Sequence, residues 1–96
     1  MLESEFRKSV IQYAQMRGWL VHYQSDTQAN RRRHHSDSSG IPDLTLARNG
    51  EVLFIELKAE GKSPTKKQQD WLDAIGNERA GWFRPSDMWK IEAILE

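Results

Sequence analysis

Residues 40–58 read Gly-Ile-Pro-Asp-Leu-Thr-Leu-Ala-Arg-Asn-Gly-Glu-Val-Leu-Phe-Ile-Glu-Leu-Lys, two apolar runs joined by Asn49 and Gly50. This stretch constrains the fold more than any other in the chain. An Asn-Gly pair between alternating apolar residues marks a hairpin, because a type I′ turn needs positive φ at both central positions. The pattern predicts antiparallel strands over residues 43–48 and 51–58. With a two-residue turn, Arg48 faces Glu51, Leu46 faces Leu53, Leu44 faces Ile55 and Asp43 faces Glu56. A one-residue slip would undo the last pairing.

Like charges directly opposite each other on a ladder repel, their Cβ atoms being only about 5 Å apart. A divalent cation would turn that repulsion into ligation. Side chains alternate along a strand, so Lys58 falls on the same face as Glu56. Two acids and an amine then share one patch. The rest of both strands is nearly all apolar, the pattern of a sheet covered on both sides.

The 96 residues suit one domain with a modest core, so residues 1–96 are read as a single unit. Fourteen basic residues balance fourteen acidic ones, and only their distribution can point to a nucleic-acid partner. The absence of cysteine excludes disulfides and thiolate metal sites and fits a reducing cytoplasm. No signal-peptide pattern, membrane-length apolar run or internal repeat is visible, so a soluble cytoplasmic protein is expected.

Residues 3–17 read as an amphipathic helix with Phe6, Val10, Tyr13 and Ala14 on one stripe, ended by Gly18. Glu3 precedes Phe6, Val10 and Ala14 by three, seven and eleven residues and so falls on the inward stripe, whereas Glu5 points away. The alternative role for Glu3 is to complement the helix dipole. Residues 19–24 form a short strand, in which His22 has no second ligand at a metal-binding spacing. Residues 25–39 are polar and hold Arg31, Arg32, Arg33, His34 and His35. They read as a loop, expected to be mobile without a ligand, and either solvated or laid as a basic strap on a phosphate backbone.

After the hairpin, Thr65 and Gln68 have capping-box spacing at the start of a helix. Gln68 precedes Trp71, Leu72 and Ile75 by three, four and seven residues, so it lies on the inward stripe; capping and facing a site are compatible. Lys66 and Lys67 oppose the helix dipole, which makes sense where phosphate meets a helix N-terminus, and Lys62 sits just before them. Residues 81–84 form a last strand and residues 85–87 open a final helix through Leu95. The resulting order, α-β-β-β-α-β-α, predicts an α/β fold with a central mixed sheet flanked by helices. The four tryptophans fit a core, with one available for a dimer interface.

Together these residues resemble the PD-(D/E)xK nuclease superfamily, through Pro42-Asp43 at one strand and Glu56-Leu57-Lys58 in the next. More narrowly, Glu3 on the leading helix, Gly40-Ile41-Pro42-Asp43-Leu44, Glu56-Leu57-Lys58 and Thr65, Gln68 and Trp71 resemble the virus-type replication-repair nuclease family, VRR-NUC. The similarity spans essentially the whole chain and is close to the minimal stand-alone form of phage and bacterial members. The basic insert at Arg31 to His35 departs from the pattern in length and polarity.

The resemblance implies metal-dependent hydrolysis of DNA phosphodiesters. Asp43 and Glu56, with the main-chain carbonyl of Leu57, would bind Mg²⁺ or Mn²⁺, which suit hard oxygen ligands. Lys58 would position or help deprotonate the attacking water and offset transition-state charge. Glu3 would accept hydrogen bonds from bound water or join a second metal, and Gln68 would orient Lys58 or the water. Arg31, Arg32, Arg33, His34, His35, Lys62, Lys66 and Lys67 are the candidate DNA contacts. Minimal members resemble Holliday-junction resolvases and act as homodimers, whose two-fold symmetry matches a four-way junction. The rivals are a flap or restriction-type endonuclease and, in another class, a non-catalytic DNA-binding module. A helix-turn-helix module would need a short turn where residues 81–84 intervene.

Overall fold

The computed structural model describes residues 1–24 and 40–96. The basic segment containing Arg31 to His35 lies outside the described residues. The elements are α1 (Glu3–Met16), β1 (Leu20–Tyr23), β2 (Leu44–Arg48), β3 (Glu51–Leu57), α2 (Lys66–Ile75), β4 (Ala80–Phe83), a 3₁₀ turn (Pro85–Asp87) and α3 (Met88–Leu95). All follow the predicted order, with boundaries moved by one residue or so. The sheet order is β1-β2-β3-β4. The first three strands are antiparallel, and β4 returns parallel to β3 after the α2 crossover. The architecture is therefore α/β, with a mixed four-stranded sheet flanked by helices.

The hairpin has the expected register: Leu44 pairs with Ile55, Leu46 with Leu53 and Arg48 with Glu51. Asn49 and Gly50 have φ of 51° and 83°, the conformation a two-residue type I′ turn demands. Leu44, Leu46, Leu53, Ile55 and Leu57 alternate onto one face and pack with Phe6, Val10 and Ala14 of α1, Trp19, and Ile91 and Leu95 of α3. All of these are buried. Burial of each large side chain stabilises the fold by about 1.5–3 kcal/mol. α2 packs against β4, and its buried Leu72 lies outside that cluster.

The opposite face of the hairpin, Thr45, Ala47, Val52 and Phe54, is only half-buried, short of the two-sided cover expected from its apolar sequence. Alternation records which residues share a face but not how far a neighbouring helix extends over them. Trp71 likewise keeps 37% of its surface, because α2 turns Leu72 inward instead.

Arg48, beside the turn, fastens the hairpin to two helix ends. Its Nη1 donates to the carbonyls of Arg17 (2.7 Å) and Leu95 (3.2 Å), and its Nη2 to that of Glu96 (3.2 Å). Its guanidinium lies 4.3 Å from the centre of the Trp19 ring, whose Nε1 donates to the same Leu95 carbonyl at 2.9 Å. A cation is well placed there, because helix C-termini leave carbonyls unpaired and carry partial negative charge.

Candidate active site

The other end of the hairpin carries the acids. Pro42 is buried and Asp43 stands one residue before β2, opposite Glu56 by continuation of the register. Each carboxylate is held by main chain next to the other. The Asp43 N–H donates to Glu56 Oε1 (3.2 Å), and the Leu57 N–H donates to Asp43 Oδ2 (3.0 Å). Glu56 is only 2% exposed. The Lys58 amine lies 3.7 Å from Glu56 Oε2, with its side chain 16% exposed. The sequence thus places the two acids and the lysine together as anticipated.

Electrostatics record the cost of that arrangement. Burial and then the neighbouring Asp43 charge push the Glu56 carboxyl up to about 8, against the pull of Lys58. Burial also raises Asp43; the Leu57 hydrogen bond, Lys58 and Arg7 work the other way. At neutral pH and without a cation, the Glu56 carboxyl is therefore largely protonated. A divalent cation would displace that proton.

Glu3 is placed differently from its expectation. It is the first residue of α1 and exposed, not aimed into the core, because the stripe it shares with Phe6 runs past the edge of the packed face. Its charge nevertheless raises both Asp43 and Glu56, so it stands close to the pair. Gln68 is half-buried and performs the capping role: its Oε1 accepts the Thr65 N–H (2.8 Å), while Thr65 Oγ1 accepts the Gln68 N–H (3.2 Å). No hydrogen bond joins Gln68 to Lys58 among the described residues. The helix is nonetheless seated on the acid-bearing segment. A Cβ on Gly40, whose φ is +88°, would come within 2.8–3.0 Å of the Lys67 carbonyl group and the Gln68 nitrogen. Only glycine lets the two backbones approach so closely.

Of the other candidate DNA contacts, Lys62 and Lys67 are exposed. Lys66 is tied to Asp70 at 2.6 Å, so it is less available to a phosphate than its position at the helix start suggests. Arg31, Arg32, Arg33, His34 and His35 lie outside the described residues. Three residues around the acids escaped sequence reasoning. Trp82 pairs with Glu56 across β3 and β4, Arg84 follows it, and Arg7 sits one turn after Glu3. The Trp82 placement depends on the register of a parallel crossover, which leaves no local signal; Arg7 could have been noticed as a cation near the helical stripe of Glu3.

Among the described residues, no group of three or more His, Asp or Glu side chains converges on a metal position. The donor set that the resemblance implies is these two carboxylates with the Leu57 carbonyl. That suits a small hard cation which keeps several waters and takes only one or two carboxylates from protein. No helix among the described residues is long and apolar enough to cross a membrane.

Comparison with known proteins agrees with this geometry. The family model of the VRR-NUC domain matches residues 8–83, which include Asp43, Glu56, Lys58 and Gln68 but not Glu3. No curated protein and no solved structure matches the chain. With most of its length covered by that match, and with opposed acids and a lysine at the end of its hairpin, the chain belongs to the VRR-NUC family of nucleases, hydrolases that act on DNA.

Proposed function

We propose that the protein is a divalent-cation-dependent endonuclease of branched DNA, resolving four-way junctions as a homodimer. The observation that carries the catalytic part is Glu56, buried against Asp43 and 3.7 Å from the Lys58 amine. A buried pair of acids destabilises a small domain unless a cation joins it. Asp43, Glu56 and the Leu57 carbonyl would hold Mg²⁺ or Mn²⁺. Bound there, the cation would shield the phosphate and acidify the attacking water.

The protein groups do the rest. Lys58, part-buried and directed toward Glu56, positions the water and balances charge on the phosphorane-like transition state. Glu3, at the solvent edge, accepts a hydrogen bond from that water. Gln68 has its Oε1 engaged in the cap, which leaves its amide nitrogen to orient the water. The water gives up one proton to solvent as its oxygen forms a P–O bond, the P–O bond to the leaving sugar oxygen breaks, and that oxygen takes a proton from solvent. No covalent enzyme intermediate is needed. The junction and the dimer are supported by the resemblance to minimal family members and by the match between two-fold protein symmetry and a four-way substrate.

The test is cleavage of a four-way junction, a flap and a plain duplex, with Mg²⁺, with Mn²⁺ and with chelator, by the unmodified protein and by Asp43→Ala and Lys58→Ala. The expected result is metal-dependent cutting of the junction, reduced about a thousandfold or more by either substitution. Binding without cutting would return the non-catalytic module, and a fixed recognition sequence in duplex would return the restriction-type reading. A strict monomer by light scattering at cutting concentrations would remove the two-fold argument.

A further inference from the structure

We propose that Arg7 and Arg84 hold the backbone phosphates on either side of the scissile one, so that the DNA strand crosses the open end of the sheet from α1 toward β4. The proposal rests on the nuclease reading above and adds to it a substrate path. Neither arginine lies within residues 8–83 matched by the family, and both are half-buried.

Arg7 rests on β1 beside Asp43. Its Cζ is 4.4 Å from the centre of the Tyr23 ring, and the next residue, Gln24, donates its N–H to the Asp43 carbonyl at 2.9 Å. Arg84 stands on the other flank. Trp82 pairs with Glu56, and the Lys58 N–H donates to the Phe83 carbonyl at 2.9 Å, so continuation of the register makes Arg84 the neighbour of Lys58. Its Cζ is 5.0 Å from the Trp82 ring centre, and its Nε donates to the Lys62 carbonyl at 2.8 Å.

Comparison with Arg48 shows what is unusual. That arginine also stacks on an aromatic ring, but its two terminal nitrogens donate to three carbonyls. Among the described residues, Arg7 donates no hydrogen bond from its guanidinium and Arg84 only the one from Nε, and neither forms an ion pair. The Asp87 carboxylate near Arg84 is already engaged, by the Arg84 main-chain N–H at 3.0 Å and by the Lys90 amine at 3.4 Å. Stacking orients a guanidinium while leaving its planar fork open, the arrangement that recognises phosphate oxygens in pairs. From β1 to β4 is three strand spacings, about 14 Å, a span on the scale of the two phosphates that flank a third along one DNA strand.

The test measures junction binding in chelator, so that no strand is cut, from about 50 to 200 mM salt, and cleavage kinetics separately with Mg²⁺. Arg7→Gln, Arg84→Gln and the Lys variants at both positions are compared with Arg79→Gln, an equal charge change at the turn end of the sheet. Each Gln substitution near the acids should lower the salt slope by about 0.7–0.9 and raise KM about tenfold, with kcat within about twofold. Lys should restore the slope, and Arg79→Gln should leave slope and KM unchanged. Gln at position 84 can still reach the Lys62 carbonyl, and the Lys variants provide a second check where a Gln variant melts early. An unchanged slope at either arginine overturns the bracket. So does a change confined to the pH profile of cutting, which would make Arg7 a counter-charge for Asp43. An unmodified protein that neither binds nor cuts DNA would take the nuclease reading down as well.

Discussion

The two ends of the β2–β3 hairpin are built from the same register and lead to opposite outcomes. At the turn, Arg48 meets three carbonyls and an indole ring, and charge is matched at every contact. At the mouth, Asp43 and Glu56 face each other, and the fold keeps them together by lending each a main-chain N–H and by setting the Lys58 amine beside Glu56. One end supplies stability and the other consumes it. That division is expected where a rigid scaffold carries a functional site.

The largest effect should come from making the mouth resemble the turn. Glu56→Gln removes the carboxyl assigned to the cation at nearly constant volume, so cleavage should fall about a thousandfold or more, while the metal-free protein should melt higher at alkaline pH, where the Glu56 carboxyl is charged. Activity and melting that fall together would break the contrast. The reverse experiment is Arg48→Ala. Loss of its bonds to helix ends should cost about 2 kcal/mol, roughly 10 °C in Tm, with kcat per folded molecule unchanged. A large loss of kcat at full folding would mean that the two ends are not separable.

The smallest effect is the pH dependence of the mouth. Glu56 titrates near 8 in the fold against 4.5 as its ordinary value. The folded state therefore binds more protons than the unfolded state between these limits, and stability declines as pH rises through the window. In chelator, Tm should drop by roughly 5 °C between pH 7 and 8. Glu56→Gln should flatten the curve, and Mg²⁺ should lift its alkaline side.

The same contrast governs how much could be read from the sequence. Asn49 and Gly50 announce their backbone conformation by residue type, and a two-residue turn leaves a single register, so the opposition of Asp43 and Glu56 followed by counting. Thr65 and Gln68 were legible for the same reason, since a capping box is local. Arg48 was not, because its partners at Leu95 and Glu96 lie 47 and 48 positions away and belong to a helix end whose placement only packing decides. A helical wheel gave the phase of Glu3 correctly but could not tell that the packed face stops before the first turn of α1. Arg7 and Arg84 looked like ordinary surface cations; their stacking on Tyr23 and Trp82 exists only once the strands are side by side.

Gly40 has a mechanical consequence beyond its close fit. The chain leaves the sheet at Gln24, pinned to the Asp43 carbonyl, and comes back at Gly40, seated against the backbone of Lys67 and Gln68. Both anchor points are therefore set by α2 and β2, on the near side of whatever joins them. Residues could be added or removed between positions 24 and 40 without a lever acting on Asp43. The two anchors act as a socket with fixed terminals, which holds the acids in alignment independently of the chain between them.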